Sequence, residues 1–255
     1  FGDFFLTFTC GLGMEGAAIA TVAGQGIVFA IQLIHFFTRK NTISFVRVTA
    51  LLKQGKQIIS IGFSSFICSV GMGVLIVLFN NQIMRYLGSR ELAVYGVASS
   101  LFILVQTFSY GIGNAAQPIV SENLGARQWD RIRETKNWGC IVAAAMGITA
   151  TVASLLFPTE IVSLFMKASE EVTAIAPSIL RQYFICLLFV PFNVFAAYYL
   201  QAVKQVGQSV AVSVLRGFLL SGLLVYIFPI WLGPDSIWFV MGGAECVTAI
   251  AAVYL

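Results

Sequence analysis

An all-α, polytopic membrane fold follows from three features of the sequence. Of its 255 residues, 58% are hydrophobic and only 10% charged, with a mean hydropathy of +0.89. Soluble domains carry about 25% charged residues, so a water-facing surface cannot be built from this inventory. The apolar residues also fall into runs of about 20, the length that crosses a bilayer as a helix. Finally, the basic residues gather in alternate connections between those runs, the asymmetry that orients membrane helices.

The first run, Phe1–Cys10, begins apolar with no initiator Met and no targeting segment, and is expected to be the end of a helix whose upstream part is missing. Met14–Thr38 is the first complete span and stops at Arg39 and Lys40. Gln57–Met84 and Leu92–Val120 are longer than the hydrocarbon core and are expected to tilt or project beyond it. Asn137–Phe157 follows the basic stretch Ser121–Lys136, read as the exit of the preceding span. Gln182–Val203 holds Pro191 at its middle, where a missing N–H predicts a kink. Ser209–Pro229 and Ser236–Leu255 complete a set of seven full spans plus one partial one. Two connections, Asn41–Lys56 and Pro158–Pro177, mix apolar with charged residues. Each either lies flat at the interface or serves as an ordinary interfacial connector.

One set of connections holds Arg39, Lys40, Arg47, Lys53, Lys56, Arg127, Arg131, Arg133, Lys136 and Lys204. The other holds Arg85, Arg90, Lys167 and Arg181. The first set is therefore expected in the cytoplasm, of a protein spanning the cell (inner) membrane, with its basic residues beside anionic lipid headgroups. Cys10, Cys68, Cys140, Cys186 and Cys246 lie in or beside apolar runs without a paired motif, and read as small membrane-helix residues. His35, beside Arg39 and Lys40, reads as interfacial. An internal echo joins Leu12-Gly13-Met14-Glu15-Gly16 to Leu232-Gly233-Pro234-Asp235-Ser236, 220 positions later. It fits a repeat with an even number of spans, a common plan for transporters.

Small residues Gly71, Gly73, Gly96, Ser99, Ser100, Gly111 and Gly113 suit close helix packing in lipid. Uncharged polar residues recur within the spans: Asn80, Asn81, Gln106, Asn114, Gln117, Asn193, Tyr198 and Gln201. A polar group is costly against hydrocarbon, so these residues either make interhelical hydrogen bonds or line a wet path.

Ionisable residues inside spans carry a sharper signal, because they are expensive there and usually functional. Asp3 and Thr21 each lie seven residues from the outer end of neighbouring antiparallel helices, at about 10 Å depth. A carboxylate and a hydroxyl at one level can take a proton or help coordinate Na⁺. The alternative is that Asp3 only looks buried because its upstream context is cut off. Arg216 and Glu245 lie on adjacent antiparallel spans, at about 20 Å and about 14 Å. They are expected to form a structural ion pair, with a role in transport as the alternative. No Gly-rich phosphate loop, metal-ligand cluster or nucleophile–base pair stands out. No catalytic or metal residue, enzymatic activity, resident cofactor or nucleic-acid partner is expected.

Several of these residues carry a resemblance. Asp3 with Gly13-Met14-Glu15-Gly16-Ala17-Ala18-Ile19-Ala20-Thr21 resembles the fifth-to-sixth helix signature of the MATE (multidrug and toxic compound extrusion) transporters. Gly111-x-Gly113-x-Ala115-x-Gln117-Pro118-Ile119 with Asn123-Leu124-Gly125-Ala126 is similar to that family's eighth-helix ending. Ser213-x-x-Arg216 and Trp238 with Glu245 resemble its eleventh and twelfth helices.

The resemblance implies two six-helix lobes. Residues 1–38 would be the end of the amino-terminal lobe (the tail of helix 5, and helix 6). Residues 39–56 would be a cytoplasmic linker, and residues 57–255 the complete carboxy-terminal lobe. It also implies an antiporter of small organic, often cationic compounds, driven by H⁺ or Na⁺. The partners would be membrane lipids and the missing amino-terminal lobe of the same chain. Asp3 and Thr21 match the helix-5 Asp and helix-6 Thr of the proton-coupled branch. A second branch places Na⁺ carboxylates in helices 7 and 10, but Gln57–Met84 and Gln182–Val203 contain none. Asn80, Gln106, Asn114, Gln117, Asn193, Tyr198 and Gln201 are candidates for the substrate path. Two alternatives to the antiporter stay open: a lipid-linked saccharide flippase of the same superfamily and a membrane scaffold without transport.

Overall fold

The computed structural model describes residues 2–37, 55, 70–71, 73–165 and 170–254, and all the regular structure among them is helical. The chain divides into two compact units, Phe1–Lys56 and Gln57–Leu255. Among the described residues, six helical runs are long and apolar enough to cross a membrane by length and composition: Gly13–Ile34, Ser89–Gly125, Trp129–Leu156, Glu170–Ala202, Val206–Leu232 and Pro234–Tyr254. The Asn41–Lys56 connector, apart from Gly55, lies outside the described residues, as do the first half of Gln57–Met84 and the side chain of His35.

In the first unit, α1 (Gly2–Phe4) runs into a π-helical turn (Phe5–Thr9) and then reverses into α2 (Gly13–Phe37). Gly11 and Gly13 make the reversal, with φ of 68° and 55°, a region open to glycine. The two arms touch at Gly16, where an added Cβ would sit 2.7 Å from the Leu6 carbonyl oxygen.

The second unit contains α3 (residues 73–86), α4 (Ser89–Gly125), α5 (Trp129–Leu156), α6 (Pro158–Phe165), α7 (Glu170–Tyr183), α8 (Val190–Ala202), α9 (Val206–Val214), α10 (Leu220–Leu232) and α11 (Val240–Tyr254). Helix α4 packs along both α8 and α5. The main core joins Phe79, Tyr95, Phe102, Tyr183, Leu187 and Trp238, all buried.

Two boundaries lie well away from the sequence expectation. Helix α5 starts at Trp129, eight residues before the expected Asn137, so the basic exit stretch is mostly helix. Charged residues end the apolar run but not the hydrogen-bond ladder, and Asp130 favours a helix N-terminus. The run Glu170–Ala202 begins well before Gln182, so most of the Pro158–Pro177 connector is helix, with residues 166–169 outside the description.

Pro191 lies where the spanning run Glu170–Ala202 loses its regular α-helical ladder, the interruption expected of it. It is the second residue of α8, just after a 3-10 turn, Phe184–Leu188. Proline has no N–H to offer the carbonyl four residues back, so the ladder breaks before it, and helical φ suits it at a helix start. The turn is pressed against α5, because a Cβ on Gly147 would lie 2.6 Å from the Leu188 carbonyl oxygen.

Helices α4 and α8 end in the same way. Gln128 N–H donates to the Asn123 carbonyl and Arg127 N–H to Leu124; Gln205 N–H donates to Leu200 and Lys204 N–H to Gln201. Both are Schellman caps, but the left-handed position holds Arg127 (φ 57°) and Lys204 (φ 65°) instead of glycine. A side chain there costs about 1–2 kcal/mol, partly offset because glycine loses more freedom on folding. Lys204→Gly is therefore expected to raise stability by about 0.5–1 kcal/mol in chemical unfolding.

Candidate functional site

The densest buried polar cluster among the described residues joins three helical segments of the second unit. Arg216 lies in a π-helical turn, Leu215–Leu219, that interrupts the passage from α9 to α10. Such turns are rare and concentrate at functional positions. The Ser221 hydroxyl donates to the Arg216 carbonyl at 3.0 Å, which helps satisfy the irregular backbone. The Arg216 guanidinium reaches α11, where Nε donates to Glu245 Oε1 at 3.1 Å and Nη2 to the same oxygen at 2.9 Å. From α8, Asn193 Nδ2 donates to Glu245 Oε2 at 2.6 Å and to the Glu245 backbone carbonyl at 2.8 Å.

Glu245 is 1% exposed, Arg216 8% and Asn193 0%. Charges so buried must be paired and hydrogen-bonded, and here the pair neutralises itself. Two acceptors on Nδ2 fix the Asn193 amide orientation. Its Oδ1 is buried and has no hydrogen-bond partner in the structure. Asn193, grouped with the path residues on sequence grounds, thus sits inside the ion-pair cluster.

The remaining path candidates are spread along α3, α4 and α8. Gln117 Nε2 donates to Gln201 Oε1 at 3.4 Å, joining α4 and α8 near the ends that carry Arg127 and Lys204. Tyr198, half-buried, covers Gly113, where a Cβ would lie 2.6 Å from its ring. Its ring centroid is 6.1 Å from that of Tyr110. Asn114 is exposed on α4, Gln106 is buried on α4, and Asn80 is half-buried on α3. Sequence reasoning passed over Tyr110, although it precedes Asn114 by four residues and Gln117 by seven, on one helical face.

In the first unit, the side chain of Asp3 lies outside the described residues. Its neighbourhood is nonetheless defined, since a Cβ on Gly2 would sit 3.5 Å from the Ala20 Cβ. That brings the backbone beside Asp3 against the backbone beside Thr21. Thr21 is exposed, and its hydroxyl donates to the Ala17 carbonyl at 3.0 Å, leaving its oxygen lone pairs free to accept.

Over 257 aligned positions the chain is 23% identical to the multidrug export protein MepA of Staphylococcus haemolyticus, covering 99% of this chain and 56% of the relative. It is 25% identical over 164 residues to the probable multidrug resistance protein YoeA of Bacillus subtilis, covering 62% of this chain and 35% of the relative. The chain thus spans about half the length, or less, of these curated relatives. A solved outward-facing MATE transporter of the MOP superfamily superposes with a TM-score of 0.86 at 20% identity, over 99% of this chain and 57% of that one. The all-α polytopic membrane fold read from the sequence is therefore the fold of a solved MATE transporter. The MatE family profile matches residues 63–227, and this chain, a multi-pass membrane protein, belongs to the MatE family.

Proposed function

We propose that the chain supplies one complete six-helix lobe, residues 57–255, and the end of the other lobe, the tail of its fifth helix and its sixth, to a secondary antiporter of the cell membrane. It would export small organic, often cationic compounds, with residues 39–56 linking the lobes. The carrying observation is the match along 99% of the chain to a multidrug export protein.

In this reading, H⁺ or Na⁺ enters at the Asp3 carboxylate beside Thr21 and shifts the balance between outward- and inward-open states. An ion can do this only by binding the two states with different affinity. The approach of Gly2 to Ala20 supports the pairing of those two helices at that level. Glu245, held by Arg216 and Asn193, is already neutralised, which favours coupling in the first unit over coupling in the second. The uncharged Gln117, Gln201, Asn114 and Tyr198 suit a path that offers hydrogen bonds to varied solutes without binding any one tightly. A saccharide flippase would use unpaired basic residues in its cleft, and Arg216 is not one of them, since Glu245 pairs with it.

The test is accumulation of a fluorescent organic cation by cells expressing the transporter that carries this chain. Lower accumulation than in control cells, restored by collapsing the ion gradients, is the expected result. Equal accumulation in both would contradict the reading.

A further inference from the structure

Helices α4 and α5 leave between them a groove of about 750 Å³. Small residues on α4, Gly111 and Ala115, open it, and a Cβ on Gly111 would meet no atom within 4 Å, whereas the space at Gly139 on α5 is taken by the Phe195 ring. Its walls are apolar, with Phe108 and Trp138 both more than half exposed. Along α5 the groove runs from Glu134 and Thr135 to Met146, and along α4 from Phe108 to Ile119. These stretches are about 16–18 Å long at 1.5 Å per residue. That is close to half of a hydrocarbon core of about 30 Å, the depth of one leaflet. The shape therefore fits one extended acyl chain better than a compact solute.

The charged end carries both signs. A smaller depression of about 290 Å³ adjoins the groove and is lined by Asp130, Arg133 and Glu134. None of these three makes an ion pair within 4 Å among the described residues. Trp129 and Trp138, each 61% exposed, flank this end, and tryptophan favours the headgroup level. The basic residues around it, Arg127, Arg131, Arg133 and Lys136, put this end at the inner leaflet by the same charge asymmetry that orients the chain.

We infer that the α4–α5 groove is a binding site for an aminophospholipid of the inner leaflet, a lipid carrying a phosphate and a primary ammonium. Its acyl chain runs along the groove from Ile119 and Thr135 to Phe108 and Met146, its phosphate meets Arg133, and its ammonium meets Glu134. A primary ammonium has three N–H donors for the carboxylate. A trimethylammonium has none, and a glycerol headgroup adds no positive charge. Phosphatidylethanolamine should therefore be held in preference to phosphatidylcholine and phosphatidylglycerol. A hydrogen bond to a charged group is stronger than one between neutral groups, so the preference should be about tenfold or more.

The experiment is native mass spectrometry of the protein released from micelles containing the three lipids in equal amounts. The expected result is about tenfold more bound phosphatidylethanolamine than either competitor. Glu134→Gln should abolish that preference while keeping the fold, since the side chain is exposed. Ala115→Trp, which fills the groove, should remove the retained lipid whatever its headgroup. Equal retention of the three lipids, a preference for phosphatidylglycerol, or an unchanged preference in Glu134→Gln would each overturn the assignment. Displacement of the lipid by a stoichiometric amount of an organic cation would also overturn it, marking the groove as a solute site instead.

Discussion

Glu245→Leu is expected to lower the unfolding free energy by about 3–5 kcal/mol, because it strands a buried guanidinium with no counter-charge. Arg216 is 8% exposed, and Glu245 accepts its side-chain donors at 2.9–3.3 Å. The same variant deprives Asn193 Nδ2 of its 2.6 Å partner, leaving only the Glu245 backbone carbonyl at 2.8 Å. The double variant Arg216→Met with Glu245→Leu removes both charges. It should recover most of the loss, since replacing a whole buried pair by apolar side chains is often neutral or better. Chemical unfolding in detergent micelles, read by tryptophan fluorescence, measures both. If the single and double variants are equally destabilised, the pair is not what holds α8, α11 and the π turn together.

The second large effect is steric. Gly147 lets α5 lie directly on the 3-10 turn before α8, where an added Cβ would come within 2.6 Å of the Leu188 carbonyl oxygen and 3.1 Å of the Leu187 one. A backbone carbonyl cannot rotate aside as a side chain can. Gly147→Leu is expected to cost about 3 kcal/mol, at the upper end of the usual overpacking range. Gly111→Ala, on the open groove between α4 and α5, is the control. No atom lies within 4 Å of the added Cβ, and a helix gains from alanine, so stability should rise by up to about 1 kcal/mol. A thermal-melt comparison of the two variants separates packing from helix propensity. Near-equal melting temperatures would contradict the tight approach at Gly147.

Much of the fold was legible because lipid as solvent leaves few choices. Apolar runs of bilayer length have to be helices, and the positions of Ser89–Gly125, Val206–Leu232 and Pro234–Tyr254 follow from them. Where the chain leaves the apolar zone, the same logic stops informing. The first two turns of α5 are polar yet helical, so hydropathy placed its start eight residues late. Proline at position 191 announced an interruption of its span, but not its form, a 3-10 turn followed by a fresh helix start.

The site was legible to the extent that burial is expensive. Arg216 and Glu245 stood out because charges are rarely sunk in apolar spans without reason. Asn193 was visible only as a polar residue. Its partner lies 52 positions away, and nothing in the local sequence tells an asparagine that faces a path from one that holds a carboxylate. Gln117 and Gln201, 84 positions apart, were both chosen as path residues, but their meeting at 3.4 Å depends on how α4 and α8 pack.

The most direct measurement is solute transport by the full transporter reconstituted in proteoliposomes under an imposed H⁺ or Na⁺ gradient, compared between the native protein and Asp3→Asn. The account predicts that one of the two gradients drives an organic cation across the membrane against its own gradient, and that Asp3→Asn reduces this to the level of empty liposomes. Gradient-driven transport at the native rate in Asp3→Asn would contradict the claim that this carboxylate couples ion entry to export.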